Sequence, residues 1–264
     1  MNEDDRPPIL RDKHYQAVSA FTPESLLREA RRQKAKAYRP VPEICLLDPD
    51  GDILRRLVSD GRVCRREDWV CYHTELCVFV EDGLEIGLIG CAVGAAFAVL
   101  VAEELFSSGC KLLISMTSSG QVIPISAPPY FILIERALRD EGTSYHYQPP
   151  AEYSEAPDLV IETLEGAFDH LEVPVLIGAT WTTDAPFRET DQAIDAMRRR
   201  GLMAVEMEAA GLYAFARARN RQVVCFAHVT NQLGQIEGDF EKGDADGTTD
   251  ALGIVLATIK RLTV

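Results

Sequence analysis

The chain has 264 residues, 47% of them apolar, with 41 acidic against 27 basic side chains and a formal net charge of −14. That length suffices for one α/β domain with a full core. The acidity argues against binding a nucleic-acid backbone or an anionic membrane surface, and the longest apolar stretch, 86–100, falls short of the roughly 20 residues of a membrane span. Seven cysteines, at 45, 64, 71, 77, 91, 110 and 225, show no C-x-x-C spacing. They read as buried reduced thiols of a cytoplasmic protein. The acidic N-terminus does not read as a signal peptide.

Residues 1–39 read as an arm followed by a basic helix. Thr22 suits the helix N-cap and Pro23 its first turn, and Pro40 and Pro42 end it. Residues 40–264 read as one α/β domain. A short strand at 44–47 leads through Asp48-Pro49-Asp50-Gly51-Asp52 to a helix at 53–58. Strands follow at 69–80 and 84–90, joined at Glu81-Asp82-Gly83. A turn flanked by Gly90 and Gly94 opens a helix at 95–106, and 111–116 is the next strand, which makes a right-handed strand–helix–strand unit. Helix is predicted at 130–141, loop at 143–158 and helix at 159–168. A strand at 173–180, a helix at 189–200, a short strand at 202–205, a helix at 209–220, a strand at 222–229 and a helix at 247–262 complete the pattern. The alternation predicts a single three-layer α/β/α domain with a central mixed sheet.

Ligands of open α/β sheets bind beyond the carboxyl ends of the strands. Four such ends carry polar groups: Thr117-Ser118-Ser119-Gly120, Trp181 to Thr190, Glu206-Met207-Glu208, and Thr230-Asn231. Glu206 and Glu208 stand in an otherwise apolar run. A carboxylate taken out of water needs a hydrogen-bonding partner, and a ribose would supply hydroxyls.

On these residues the chain resembles the nucleoside phosphorylase superfamily, which holds purine nucleoside and uridine phosphorylases and related nucleosidases. Val205-Glu-Met-Glu-Ala-Ala matches the ribose motif, the 90–120 segment matches the glycine turn and small-residue loop, Thr183 to Thr190 matches the base-side loop, and Val229-Thr-Asn matches the strand end facing the leaving base. The resemblance implies that Glu206, Met207 and Glu208 bind ribose, with Glu208 accepting from its hydroxyls. It implies that Asn231 donates a hydrogen bond to the departing base, and that Phe187, Trp181 and Arg188 contact the base. Catalysis would rest on Glu208 and Asn231, through an oxocarbenium-like state. Ser118, Ser119, Gly90 and Asp50 would surround the anion or nucleophile. No cofactor or metal is implied, phosphate being a co-substrate. The partner is a small-molecule nucleoside, and a homo-oligomer, hexamer or dimer, is expected.

The phosphate loop departs from the family pattern. The family's Gly-Asp-Pro-x-x-Arg stretch has Ile53 here at the arginine position, and Ser115 stands where a second arginine precedes the small-residue loop. Carboxylates beside an anion site disfavour phosphate. Three readings therefore stay open: a phosphorylase with an altered phosphate site, a nucleosidase that uses water with Glu206 or Asp50 as base, and a non-catalytic nucleoside-binding protein.

Overall fold

In a computed structural model the described residues are 7–157, 159–233 and 237–263. Ten strands form one mixed sheet in the order β10-β6-β8-β9-β5-β1-β4-β3-β2, with β7 beside β6. In chain order the elements are α1 (Pro23–Lys34), β1 (Ile44–Asp48), α2 (Asp52–Ser59), β2 (Cys64–Arg65), β3 (Cys77–Glu81), β4 (Leu84–Gly90), α3 (Ala95–Ser107) and β5 (Leu112–Gln121). There follow β6 (Tyr130–Asp140), α4 (Ser144–Tyr147), β7 (Tyr153–Glu155), α5 (Val160–Leu164) and β8 (Val175–Thr183). The chain continues with α6 (Asp191–Arg199), β9 (Ala204–Glu206), α7 (Ala209–Arg219), β10 (Gln222–Asn231) and α8 (Thr248–Leu262).

The sheet is not open throughout. β5 pairs with β10 in parallel and with β9 antiparallel. β10 pairs with β6, β6 with β8, and β8 with β9. These five strands therefore close a ring, a small barrel from which β1, β4, β3 and β2 continue as a flat wing.

Central strands have two buried faces because helices cover both. Successive side chains alternate across a strand, and the two cores divide accordingly. Val223, Cys225, Ala227 and Val229 of β10 join the cluster containing α3 and α7. Val224 and Phe226 join the cluster containing α2, α5 and α8. The same split takes Tyr130, Ile132 and Ile134 of β6 one way and Phe131 and Leu133 the other.

This double burial explains the main departure from expectation. Residues 130–141 are a strand, not a helix. An unbroken apolar run has no period with which to distinguish a buried strand from a buried helix. The charges at Glu135, Arg136 and Arg139 imitate helical spacing because the ladder to β8 slips a residue between Ile134 and Arg136. Residues 143–158 contain α4 and β7 rather than loop alone, the helix at 159–168 is reduced to α5, and within 69–80 only the end forms strand. Several strands run further than expected: β5 reaches Gln121 and β10 reaches Asn231. Among the described residues no helix is long and apolar enough to cross a membrane.

Candidate active site

Glu208 follows β9 as the N-cap of α7, and its side chain meets the N-cap of α3 and Thr117 of β5. This side chain is 1% exposed. Its Oε1 accepts the N–H of Gly94 at 2.7 Å and its Oε2 accepts the hydroxyl of Thr117 at 2.8 Å. Gly94 caps α3 at φ 89°, a conformation that glycine adopts without the clash of a Cβ. Its N–H is thereby turned out of the helix towards the carboxyl. Burial, and then the neighbouring Glu206, push the Glu208 carboxyl up to about 8.

Glu206 faces the other way. Its Oε1 accepts the hydroxyls of Thr180 and Thr182, and its Oε2 accepts the N–H groups of Glu208 and Ala209, each at 2.7 Å. Thr182 also accepts the Ala210 N–H. The first amides of α7, which have no partner within the helix, are thus satisfied by β8 and β9. All these acceptor positions of Glu206 are occupied inside the protein, so the structure places it as a brace behind the motif and not as the ribose contact the resemblance implies. Burial raises its pKa above the ordinary range. Met207, between the two carboxyls, is partly exposed.

The acidic loop after β1 folds under this junction. Asp48, buried, accepts from the amides of Gly51 and Leu54, and burial lifts its carboxyl to about 7. Its carbonyl takes the N–H of Cys91 at 3.0 Å, which ties the ends of β1 and β4 together. Gly90 permits this approach: a Cβ there would stand 2.7 Å from the Leu54 side chain and 3.4 Å from Gly51 Cα. Its observed role is packing, at the margin of the anion position. Asp50 Oδ2 accepts the N–H of Ser118 at 2.8 Å. Ser119 is buried, and among the described residues its hydroxyl has no partner. Ser115, at an arginine position of the family pattern, is likewise buried with an unpartnered hydroxyl. Arg55 Nη2 contacts the Asp50 carbonyl at 2.9 Å and the Asp52 carboxylate, and Lys242 pairs with Asp52.

Asn231 lies at the end of β10 opposite Gly120. Its amide nitrogen donates to Thr230 Oγ1 at 3.1 Å, and its oxygen accepts the N–H of Leu233 at 2.9 Å. The Asn231 amide is therefore oriented, with its nitrogen beside the Ser119 carbonyl. His228, three residues back, stacks on Phe131 with ring centroids 4.2 Å apart. Burial lowers its pKa to about 4, so it is a neutral core residue.

The base-side assignments fare differently. Trp181 is buried against Ile194, Leu202 and Val205, and its indole N–H donates to Asp140 at 2.9 Å. Trp181 is a core residue, 3% exposed. Phe187 is 99% exposed, and Arg188 is exposed on the same turn; neither closes over the site here. Glu189, on that loop, is partly buried, which pushes its carboxyl to about 7.

Thr180, Thr182 and Arg55 were not singled out from the sequence as site residues, and Gly94 was read there only as a turn glycine opening a helix. Thr180 and Thr182 carry a signal, since residues two apart on a strand share a face. Arg55, on the first turns of α2, lies two residues beyond the position where an arginine was sought. Gly94 acts through its backbone, which leaves no mark beyond the glycine itself.

A sequence model described as the phosphorylase superfamily matches residues 53–260. A guanosine phosphorylase of Halorubrum lacusprofundi is 26% identical over 209 residues, covering 78% of this chain and 84% of that protein. A uridine phosphorylase of Thermococcus kodakarensis is 28% identical over 172 residues, covering 58% of this chain and 62% of its own length. Among solved structures, uridine phosphorylase from Vibrio fischeri superposes with a TM-score of 0.70 at 21% identity, covering 85% of this chain and 93% of that one. Purine nucleoside phosphorylase from Toxoplasma gondii, in complex with immucillin-H, gives 0.69 at 19%, covering 83% and 90%. At such identities these structures speak for the fold alone. With the match of the family model over most of its length, the chain belongs to the phosphorylase superfamily, the family of the purine nucleoside and uridine phosphorylases it resembles.

Proposed function

We propose that the chain cleaves the N-glycosidic bond of a ribonucleoside, with phosphate as acceptor, to give the free base and ribose 1-phosphate. The observation that carries this reading is Glu208, a buried carboxyl at the N-cap of α7 held by Gly94, the N-cap of α3, and by Thr117 of β5. In the proposed complex Glu208 accepts from the ribose hydroxyls, and Met207 packs against the sugar. As the C1′–N bond lengthens, positive charge develops on the sugar, and Glu208 stabilises it once it has given up its proton. The Asn231 nitrogen, which donates to Thr230 Oγ1 and to the Ser119 carbonyl, would exchange the longer of these bonds, 3.4 Å to Ser119, for one to the base as electron density moves onto it. At the end of β5 the Ser119 hydroxyl, unpartnered among the described residues, is a donor available to phosphate, and the Ser118 N–H becomes one only if Asp50 releases it. Relatives named as guanosine and uridine phosphorylases support phosphate as acceptor.

A second reading, hydrolysis, is favoured by one contact: Asp50 occupies the Ser118 amide, where it would serve as base to a water. Incubation with guanosine, inosine, adenosine and uridine, with and without phosphate, separates the two. Ribose 1-phosphate formed only with phosphate supports the first, and free ribose without phosphate supports the second. Binding with no turnover of any nucleoside would refute both.

A further inference from the structure

The Asp50–Ser118 contact joins the loop after β1 to the end of β5, across the site. The Ser118 N–H lies towards the end of β5 on the edge no longer paired with β1, where it would be a donor to an anion. A carboxylate of the chain itself already accepts from it. The charge of Asp50 also bears on Glu208 and Asp48, raising both carboxyls. Arg55 does not offset it, because its guanidinium turns to the Asp52 carboxylate and the Asp50 carbonyl.

We propose that Asp50 is the acceptor-selecting residue of this site: its carboxylate holds the Ser118 amide, so phosphate binds only by displacing it, while water is admitted beside it. The inference rests on the reading of this junction as a ribosyl-transfer site. A single N–H does not serve two anions at once. A phosphate bound there with Asp50 in place would add negative charge directly beside the partly exposed Asp50 carboxylate, and the two repel. A water brings no charge and can donate to the carboxylate. Asp50 thus sets how far phosphate competes with water for the ribosyl group.

Inorganic phosphate binding to the full chain and to Asp50→Asn and Asp50→Ala, followed by calorimetry and thermal shift, tests this. Both variants are expected to bind phosphate about tenfold or more tightly than the parent, and the gap should narrow as sodium chloride is raised. Equal affinity in all three proteins, tighter binding by the parent, or no phosphate binding by either variant overturns the proposal. The isosteric Asn variant guards against a loop collapse in the Ala variant. Parallel assays should show the phosphate-dependent share of nucleoside cleavage rising in the variants. If no protein turns over a nucleoside, the ribosyl-transfer reading fails, while the phosphate affinities still decide the role of Asp50.

Discussion

Two glutamates one residue apart do different work, and substitution distinguishes them. In the proposed complex Glu208 meets the ribose, so Glu208→Ala is expected to lower ribonucleoside affinity about tenfold or more, in line with the loss of its hydrogen bonds; unchanged affinity by calorimetry would remove it from the site. Its protonation also affects stability. The folded chain keeps the Glu208 proton up to about pH 8, whereas an unfolded glutamate loses it near about pH 4.3. Between those values the unfolded state binds fewer protons, so this group's contribution to stability falls as pH rises. Asp48, raised to about 7, adds a slope of the same sign over a lower window. Glu208→Gln is therefore expected to gain on the parent in melting temperature from pH 5 to pH 9; the opposite trend would mean that the carboxylate is held as an ion. Glu206→Ala, by contrast, strands two hydroxyls and two amides. At about 1–3 kcal/mol for each buried group left unpaired, a loss of about 3 kcal/mol or more is expected in denaturant unfolding, and with it both nucleoside affinity and yield of folded protein.

At the scale of elements, the site depends on how closely α3 and α7 approach, because their N-termini present Gly94 and Glu208 to each other. Gly211 sets that distance: a Cβ there would lie 2.8 Å from Ala95 Cβ and 3.4 Å from the Val99 side chain. Gly211→Ala gains up to about 1 kcal/mol of helix propensity but forces the helices apart at about 1–3 kcal/mol. The expected net result is a lower melting temperature with nucleoside binding weakened as well. Tyr213 on the same helix reaches into the ring, donating to the Ile134 carbonyl at 2.5 Å and accepting from the Cys225 amide at 3.1 Å. It bridges β6 and β10 near the slip in the β6–β8 ladder, and Tyr213→Phe should cost about 2 kcal/mol. These helices and the short strand β9 were legible because caps, glycines and alternation mark them locally. The ring was not, since β5 and β10 meet through pairings between residues as remote as Leu112 and Gln222. The site was legible for the same reason in part: Glu208, Met207, Asn231 and Ser118 stand at strand ends that alternation locates. The misplacement of Trp181 and Phe187 has a different cause. Which face of β8 Trp181 takes depends on α6 packing against it, and Phe187 lies on the exposed turn Pro186–Arg188 after the strand; nothing local records either placement.

Over the whole molecule, the segment before β1 stands apart. The superfamily match begins at residue 53, and α1 is held by a small cluster of Leu27, Ala30 and Val70, with Lys34 donating to the carbonyls of Val70 and Cys71 and Glu24 accepting from Ser107. Burial of one leucine and one alanine amounts to about 2–3 kcal/mol. Removal of residues 1–36 is therefore expected to leave a chain that still melts cooperatively and still binds nucleoside, at a reduced melting temperature. Loss of cooperative melting would show that α1 belongs to the main core. The burial of Trp181 has a practical consequence. The chain holds two tryptophans, and the other, Trp69, donates its indole N–H to Thr74 in the segment against α1. In a Trp69→Phe chain the emission spectrum would come from Trp181 alone, whose ring touches Val205, the residue before Glu206. Its fluorescence would then report, without label or coupled assay, any shift of β9 as a nucleoside enters.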